Sequence, residues 1–67
     1  MDPIIHRLRI ARRAKGLTQA AAGALADIPS RTINEWEGGG GPTLSKLRRY
    51  AAALGFEIAL VKRPSQP

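Results

Sequence analysis

The 67-residue chain contains no cysteine, which removes disulfides and thiolate metal sites and fits a reducing compartment. Its single histidine, His6, cannot assemble a zinc centre alone, so neither metal nor cofactor is expected. Acidic residues are scarce: five stand against eleven lysines and arginines, for a net charge of +6. With a pI of about 11.3, so small a domain points to a polyanionic partner. Aromatics are limited to one Trp, one Tyr and one Phe. No uncharged stretch approaches the ~20 residues that a bilayer span requires. Residues 4–15 are basic and partly apolar, as a membrane-surface helix would be, but they hold no aromatic anchor. Ile4, Ile5, Leu8 and Ile10 add only modest bulk, so no membrane partner is expected. The N-terminus lacks a signal-peptide core, which predicts a cytoplasmic location. Catalysis is not expected either. A nucleophile needs an adjacent base and an orienting group, and the one imidazole and five carboxylates form no such set.

What is present suits one small domain. A chain near this length buries only about 60% of its unfolded surface. Below roughly 70–80 residues a fold usually needs disulfides, metal or self-association, and self-association is the device left. The basic residues gather in two places: Arg7, Arg9, Arg12, Arg13 and Lys15, then Lys46, Arg48 and Arg49, with Lys62 and Arg63 beyond. Such runs are either a solvated face or an anion-binding one.

Local signals divide the chain into helices. Asp2 and Pro3 suit a first N-terminus, Ile4/Ile5, Leu8 and Ala11/Arg12 recur at helical spacing, and Gly16 supplies a stop. Thr18 caps a second, alanine-rich helix running to about Ala26. Asp27 occupies a turn where positive φ is tolerated. A third helix opens near Pro29 or Ser30 and runs to Glu37. The glycines at 38–41 and Pro42 form a loop, Thr43 caps a fourth helix, and Leu44, Leu47, Ala51 and Leu54 share one face before Gly55. Phe56, Ile58 and Leu60 then alternate with Glu57, Ala59 and Val61, which reads as a strand. A lone strand would leave its edges unpaired, so residues 56–62 are expected to pair with the same residues of a second subunit. An extra helix or a loose tail is the alternative. Residues 64–67 read as a disordered tail. The second and third helices, joined by a tight turn in a basic protein, are how a helix is presented to the major groove of DNA.

The run Gly16-Leu17-Thr18-Gln19, with Arg12, Ile28, Ile33, Trp36-Glu37-Gly38, Pro42, Leu47 and Ala53-Leu54-Gly55, resembles the phage-repressor (Cro/CI, or XRE) class of helix-turn-helix proteins. The resemblance covers roughly residues 5–55, and residues 56–62 further resemble the C-terminal strands by which HipB-type antitoxins dimerise. It implies a mainly α fold of four to five helices with one C-terminal strand pairing across a homodimer. Residues 1–55 would be the DNA-binding domain, 56–63 the dimerising strand through Phe56, Ile58 and Leu60, and 64–67 the tail. The chain departs from the class at Ala22 and Ala26, where bulky aliphatics are usual, at Gly23, and at Asp27, which replaces a turn glycine. Gly23 is expected to weaken the second helix by about 1 kcal/mol relative to Ala.

If Ile33 and Trp36 define the buried side of the third helix, Arg31 and Glu35 lie nearly opposite, and Thr32 and Asn34 flank them. With Ser30 at the helix start, these five are the expected base readers. Arg31 suits guanine O6 and N7, and Asn34 suits adenine. Glu35 either accepts from cytosine N4, excludes poor sequences as a carboxylate beside phosphates, or pairs with Arg31 one turn away. The expected phosphate contacts are Thr18, Gln19, Gly40, Thr43 and Lys46, where helix N-termini and glycine backbone favour an anion. Thr18 serves equally as a plain cap, and the glycines as a plain linker. The resemblance implies that Gln19 anchors the DNA backbone and braces the third helix. It also implies that Arg12 and Glu37 form a salt bridge tying the first helix to the end of the third. Trp36 is read as core, His6 as surface, and Tyr50 as core edge or dimer contact.

Two functions follow as expectations. One is a homodimeric, sequence-specific repressor on a palindromic operator, acting on double-stranded DNA as the antitoxin of a toxin-antitoxin pair or as a stand-alone phage-type repressor. The other is an antitoxin whose main role is direct contact with a toxin, for which a HipA-like kinase is the candidate partner.

Overall fold

A computed structural model describes residues 2–60, 62 and 64. Four helices follow one another: α1 (Pro3–Ala14), α2 (Gln19–Ala26), α3 (Ser30–Glu37) and α4 (Leu44–Ala53). Local chemistry fixes their starts. Asp2 Oδ1 accepts from the Ile4 N–H at 2.8 Å, with Pro3 where a missing N–H does no harm. Thr18 Oγ1 accepts from Ala21 N–H at 3.0 Å, and Thr43 Oγ1 from Lys46 N–H at 3.3 Å. The start of α3 differs, because Pro29 offers no side-chain cap.

The ends share one pattern. After α1, the Leu17 N–H reaches back to the Arg12 carbonyl at 3.1 Å. Ile28 to Gly23 (2.8 Å), Gly40 to Glu35 (2.8 Å) and Phe56 to Ala51 (2.8 Å) repeat it after α2, α3 and α4. This closure needs a left-handed residue in its middle. Glycine fills that place after α1, α3 and α4, and Asp27, at φ 57°, fills it after α2.

The helices enclose one core of Ile5, Leu8, Ala22, Ala26, Ile28, Ile33, Trp36, Leu47, Tyr50, Ala51 and Leu54. Helix α2 packs on α3 and α4, and α1 packs on α3. Trp36 and Tyr50 meet edge to face, with ring centroids 5.7 Å apart. Tyr50 is therefore fully inside rather than at the core edge.

Small residues make α2 a close-packed element. Ala22 is wholly buried, and a Cβ on Gly23 would stand 2.2 Å from the Ile28 carbonyl oxygen and 3.0 Å from Ile33 Cδ1. Gly23 is thus more than a weak helix residue. The chain leaving α2 folds directly over it, and only a hydrogen fits.

Residues 56–60 lie in neither helix nor strand, and no strand is found among the described residues. Phe56 is 50% exposed and Leu60 101%, while Ile58 packs partly against the core. Residues 61 and 63 of the expected strand, and 65–67 of the expected tail, lie outside the described residues.

Candidate nucleic-acid interface

Helix α3 is amphipathic over its eight residues, and this decides what it shows to solvent. Ile33 and Trp36 are buried. With that side pinned, the 3.6-residue period turns the others outward: Ser30, Arg31, Asn34 and Glu35 are exposed and Thr32 is half-buried. No ion pair joins Arg31 to Glu35 among the described residues.

Beneath this face lies a polar network spanning three helices. Arg12, on α1, grips Glu37 at the end of α3 with two hydrogen bonds, Nε to Oε2 at 3.1 Å and Nη2 to Oε1 at 3.0 Å. The two side chains are only 8% and 9% exposed. Arg12 Nη1 also donates to the Leu17 carbonyl at 2.8 Å, tying the α1–α2 turn to the same point. A bidentate geometry of this kind suits the planar guanidinium. Burial raises the Glu37 carboxyl above its ordinary 4.5, but hydrogen bonds from Arg12 and Gln19 and the charges of Arg12 and Arg9 outweigh it and hold the group lower. The Tyr50 phenol is pushed up from 10.0 by burial and by the neighbouring Glu37 charge. Its hydroxyl is buried without a hydrogen-bond partner among the described residues.

Gln19, in the first turn of α2, joins this network to the outward face. Its Nε2 donates to Glu37 Oε1 at 3.2 Å and to Asn34 Oδ1 at 3.3 Å. One amide therefore fixes the start of α2 against the middle and end of α3, and holds the Asn34 side-chain oxygen toward α2. Thr18 is exposed and committed as a cap. Gly40 is exposed but bound back to Glu35 through its N–H, and a Cβ there would stand 2.9 Å from the Glu35 carbonyl oxygen. Thr43 and Lys46 are exposed at the start of α4 and meet each other through the cap. No hydrogen bond among the described residues joins them to α2 or α3 side chains.

Two features escaped the sequence reading. The resemblance implied that Gln19 braces the third helix, but its partner there, Asn34, lies fifteen positions away and has no local signature. Arg9 and Arg13 share a cleft with Gln19, Asn34 and Glu37. Their spacing from each other, four residues apart on one helix face, is a signal that could have separated them from the general run of positive charge.

Comparison with known proteins adds a family and a relative. The family model described as "Helix-turn-helix" matches residues 8–61. A Mycobacterium tuberculosis protein named "Putative antitoxin HigA2" is 39% identical over 59 residues, covering 85% of this chain and 58% of that protein. The chain thus spans under two thirds of that relative's length. No solved structure matches it.

Proposed function

This chain belongs to the helix-turn-helix family, and on that premise we propose that it is a sequence-specific DNA-binding regulator whose α3 enters the major groove. The observation carrying the reading is the division of α3 into a side pinned by Ile33 and Trp36 and an outward side of Ser30, Arg31, Asn34 and Glu35. Arg31 is the residue best suited to guanine, with Thr32 at the flank of the groove-facing set. Thr18, Gln19, Thr43 and Lys46 take the phosphates, Gly40, its N–H already bound to Glu35, only lets the DNA backbone come close, and Arg12 with Glu37 holds the scaffold under them. The net charge of +6 supplies long-range attraction to the duplex. Selection of bound duplexes from a random pool, at a stated salt concentration because phosphate contacts make affinity salt-dependent, tests this. A recovered pool with no enriched motif would overturn it.

The protein acts as a homodimer on a palindromic operator, two copies of α3 entering successive major grooves about 34 Å apart. Support comes from the apolar Phe56 and Leu60, which a lone chain leaves largely uncovered, from Ile58 beside them, only partly packed on the core, and from the small size of the domain. Deleting residues 56–67 should give a monomer or an unfolded chain in sedimentation; an intact dimer would remove the strand-pairing account.

The mycobacterial relative's name favours an antitoxin role. In this reading the chain represses transcription from its operator and also neutralises a toxin, and the kinase-like toxin suggested by the C-terminal resemblance is the partner to test first. Co-expression with such a toxin encoded beside it should restore growth. Continued toxicity beside intact operator binding would leave the stand-alone repressor.

A further inference from the structure

We propose that the polar cleft between α1, the start of α2 and the end of α3 seats one phosphate of the DNA backbone, gripped by Arg9 and Arg13. The proposal rests on the DNA-binding reading and adds to it a contact from the first helix. The cleft is lined by Arg9, Arg12, Arg13, Gln19, Asn34 and Glu37, so three guanidinium groups face one carboxylate.

That carboxylate is already used. Both oxygens of Glu37 accept from Arg12, at 3.1 and 3.0 Å, and Oε1 accepts from Gln19 as well, at 3.2 Å. Arg9 is left with Nε 3.8 Å from Glu37 Oε1, which is too long for a hydrogen bond. The same Nε is buried and has no partner among the described residues. That donor is unsatisfied, and it is the exposed 33% of the Arg9 side chain that an incoming anion would meet. Arg13 is exposed and makes no ion pair among the described residues. Two positive charges therefore remain after Arg12 and Glu37 cancel. Gln19 and Asn34 reach the same cleft from α2 and from the outward side of α3. An anion held here would lie beside the base-reading surface, where a backbone phosphate belongs. Arginine suits that ligand because its planar fork matches phosphate oxygens.

The test uses the full chain and a labelled random-sequence duplex, with binding followed by anisotropy across about 50–200 mM salt. The double variant Arg9→Gln/Arg13→Gln, which loses the one phosphate contact, should reduce the slope of log affinity against log salt by about 0.9 per chain, and each single variant by part of that. Arg9→Lys should keep the slope. Arg7→Gln, at a separate groove with Ile4 and Leu8, serves as the charge control. Should Arg9→Gln fail to fold, the exposed Arg13 carries the test alone. Unchanged slopes, or an equal drop for Arg7→Gln, would overturn the phosphate seat while leaving DNA binding intact. If the unaltered chain binds neither random nor selected duplexes, the DNA-binding reading itself fails, and the seat with it.

Discussion

Gly23→Ala sets two physical effects against each other with opposite signs. Helix propensity alone favours alanine, by about 0.8–1.0 kcal/mol in a helix interior. The packing opposes it. The added Cβ would lie 2.2 Å from the Ile28 carbonyl oxygen, roughly 1 Å inside ordinary carbon–oxygen contact. Neither side can yield easily, since the Ile28 N–H is bound to the Gly23 carbonyl at 2.8 Å. Ile33 Cδ1, at 3.0 Å from the same Cβ, belongs to the residue that pins α3. Overpacking of this kind costs about 1–3 kcal/mol, and a strained hydrogen bond about 1 kcal/mol more. Against the gain of about 1 kcal/mol, the net loss is about 1–3 kcal/mol. In a domain of this size each kcal/mol moves Tm by about 4–8 °C. Thermal unfolding followed by circular dichroism should therefore show a midpoint lower by several degrees. A midpoint equal to or above that of the unaltered chain would refute the reasoning, because propensity would then have outweighed the steric contact.

Three other outcomes are expected. Arg31→Ala should cost about 1–3 kcal/mol on the selected operator and relax preference at one base pair, whereas Gln19→Ala should weaken selected and random duplexes by similar factors; matching profiles for both variants would refute the division of labour. Because the folded Glu37 pKa is lowered, its contribution to stability is full above about 4.5 and drains away as pH falls through the folded value. Thermal midpoints between about pH 6 and pH 3 should fall less steeply for Glu37→Gln than for the unaltered chain, and parallel curves would exclude Glu37 as a source of acid sensitivity. Asp27→Gly should stabilise by about 0.5–1 kcal/mol, the left-handed penalty of about 1–2 kcal/mol less the extra unfolded-chain entropy of glycine; a lower Tm would contradict this.

The four helices were legible because their limits are written in short-range chemistry. Asp2, Thr18 and Thr43 cap within three residues of themselves, and Gly16 and Gly55 sit where the chain must turn left-handed. The inner and outer sides of α3 follow from the positions of Ile33 and Trp36 alone. The rest depends on which helices cross where. The clash that makes Gly23 obligatory arises only once the turn folds back over α2, so composition reads it as a mere weakness. Arg12 and Glu37 stand twenty-five positions apart, and nothing local pairs them; the family resemblance supplied what spacing could not. The crowding of Arg9 and Arg13 into one cleft was hidden for the same reason, among charges that the sequence presents as a single basic run.

The burial of Trp36 has a further use. It is the sole indole of the chain, set on the inner side of α3 with its ring against Tyr50. Its emission therefore samples the seating of the very helix that carries Arg31, with no second chromophore of its kind to dilute the signal. A ligand that rests on the outer surface leaves that colour unchanged, whereas one that levers α3 from its bed lets water reach the ring and shifts the light to the red.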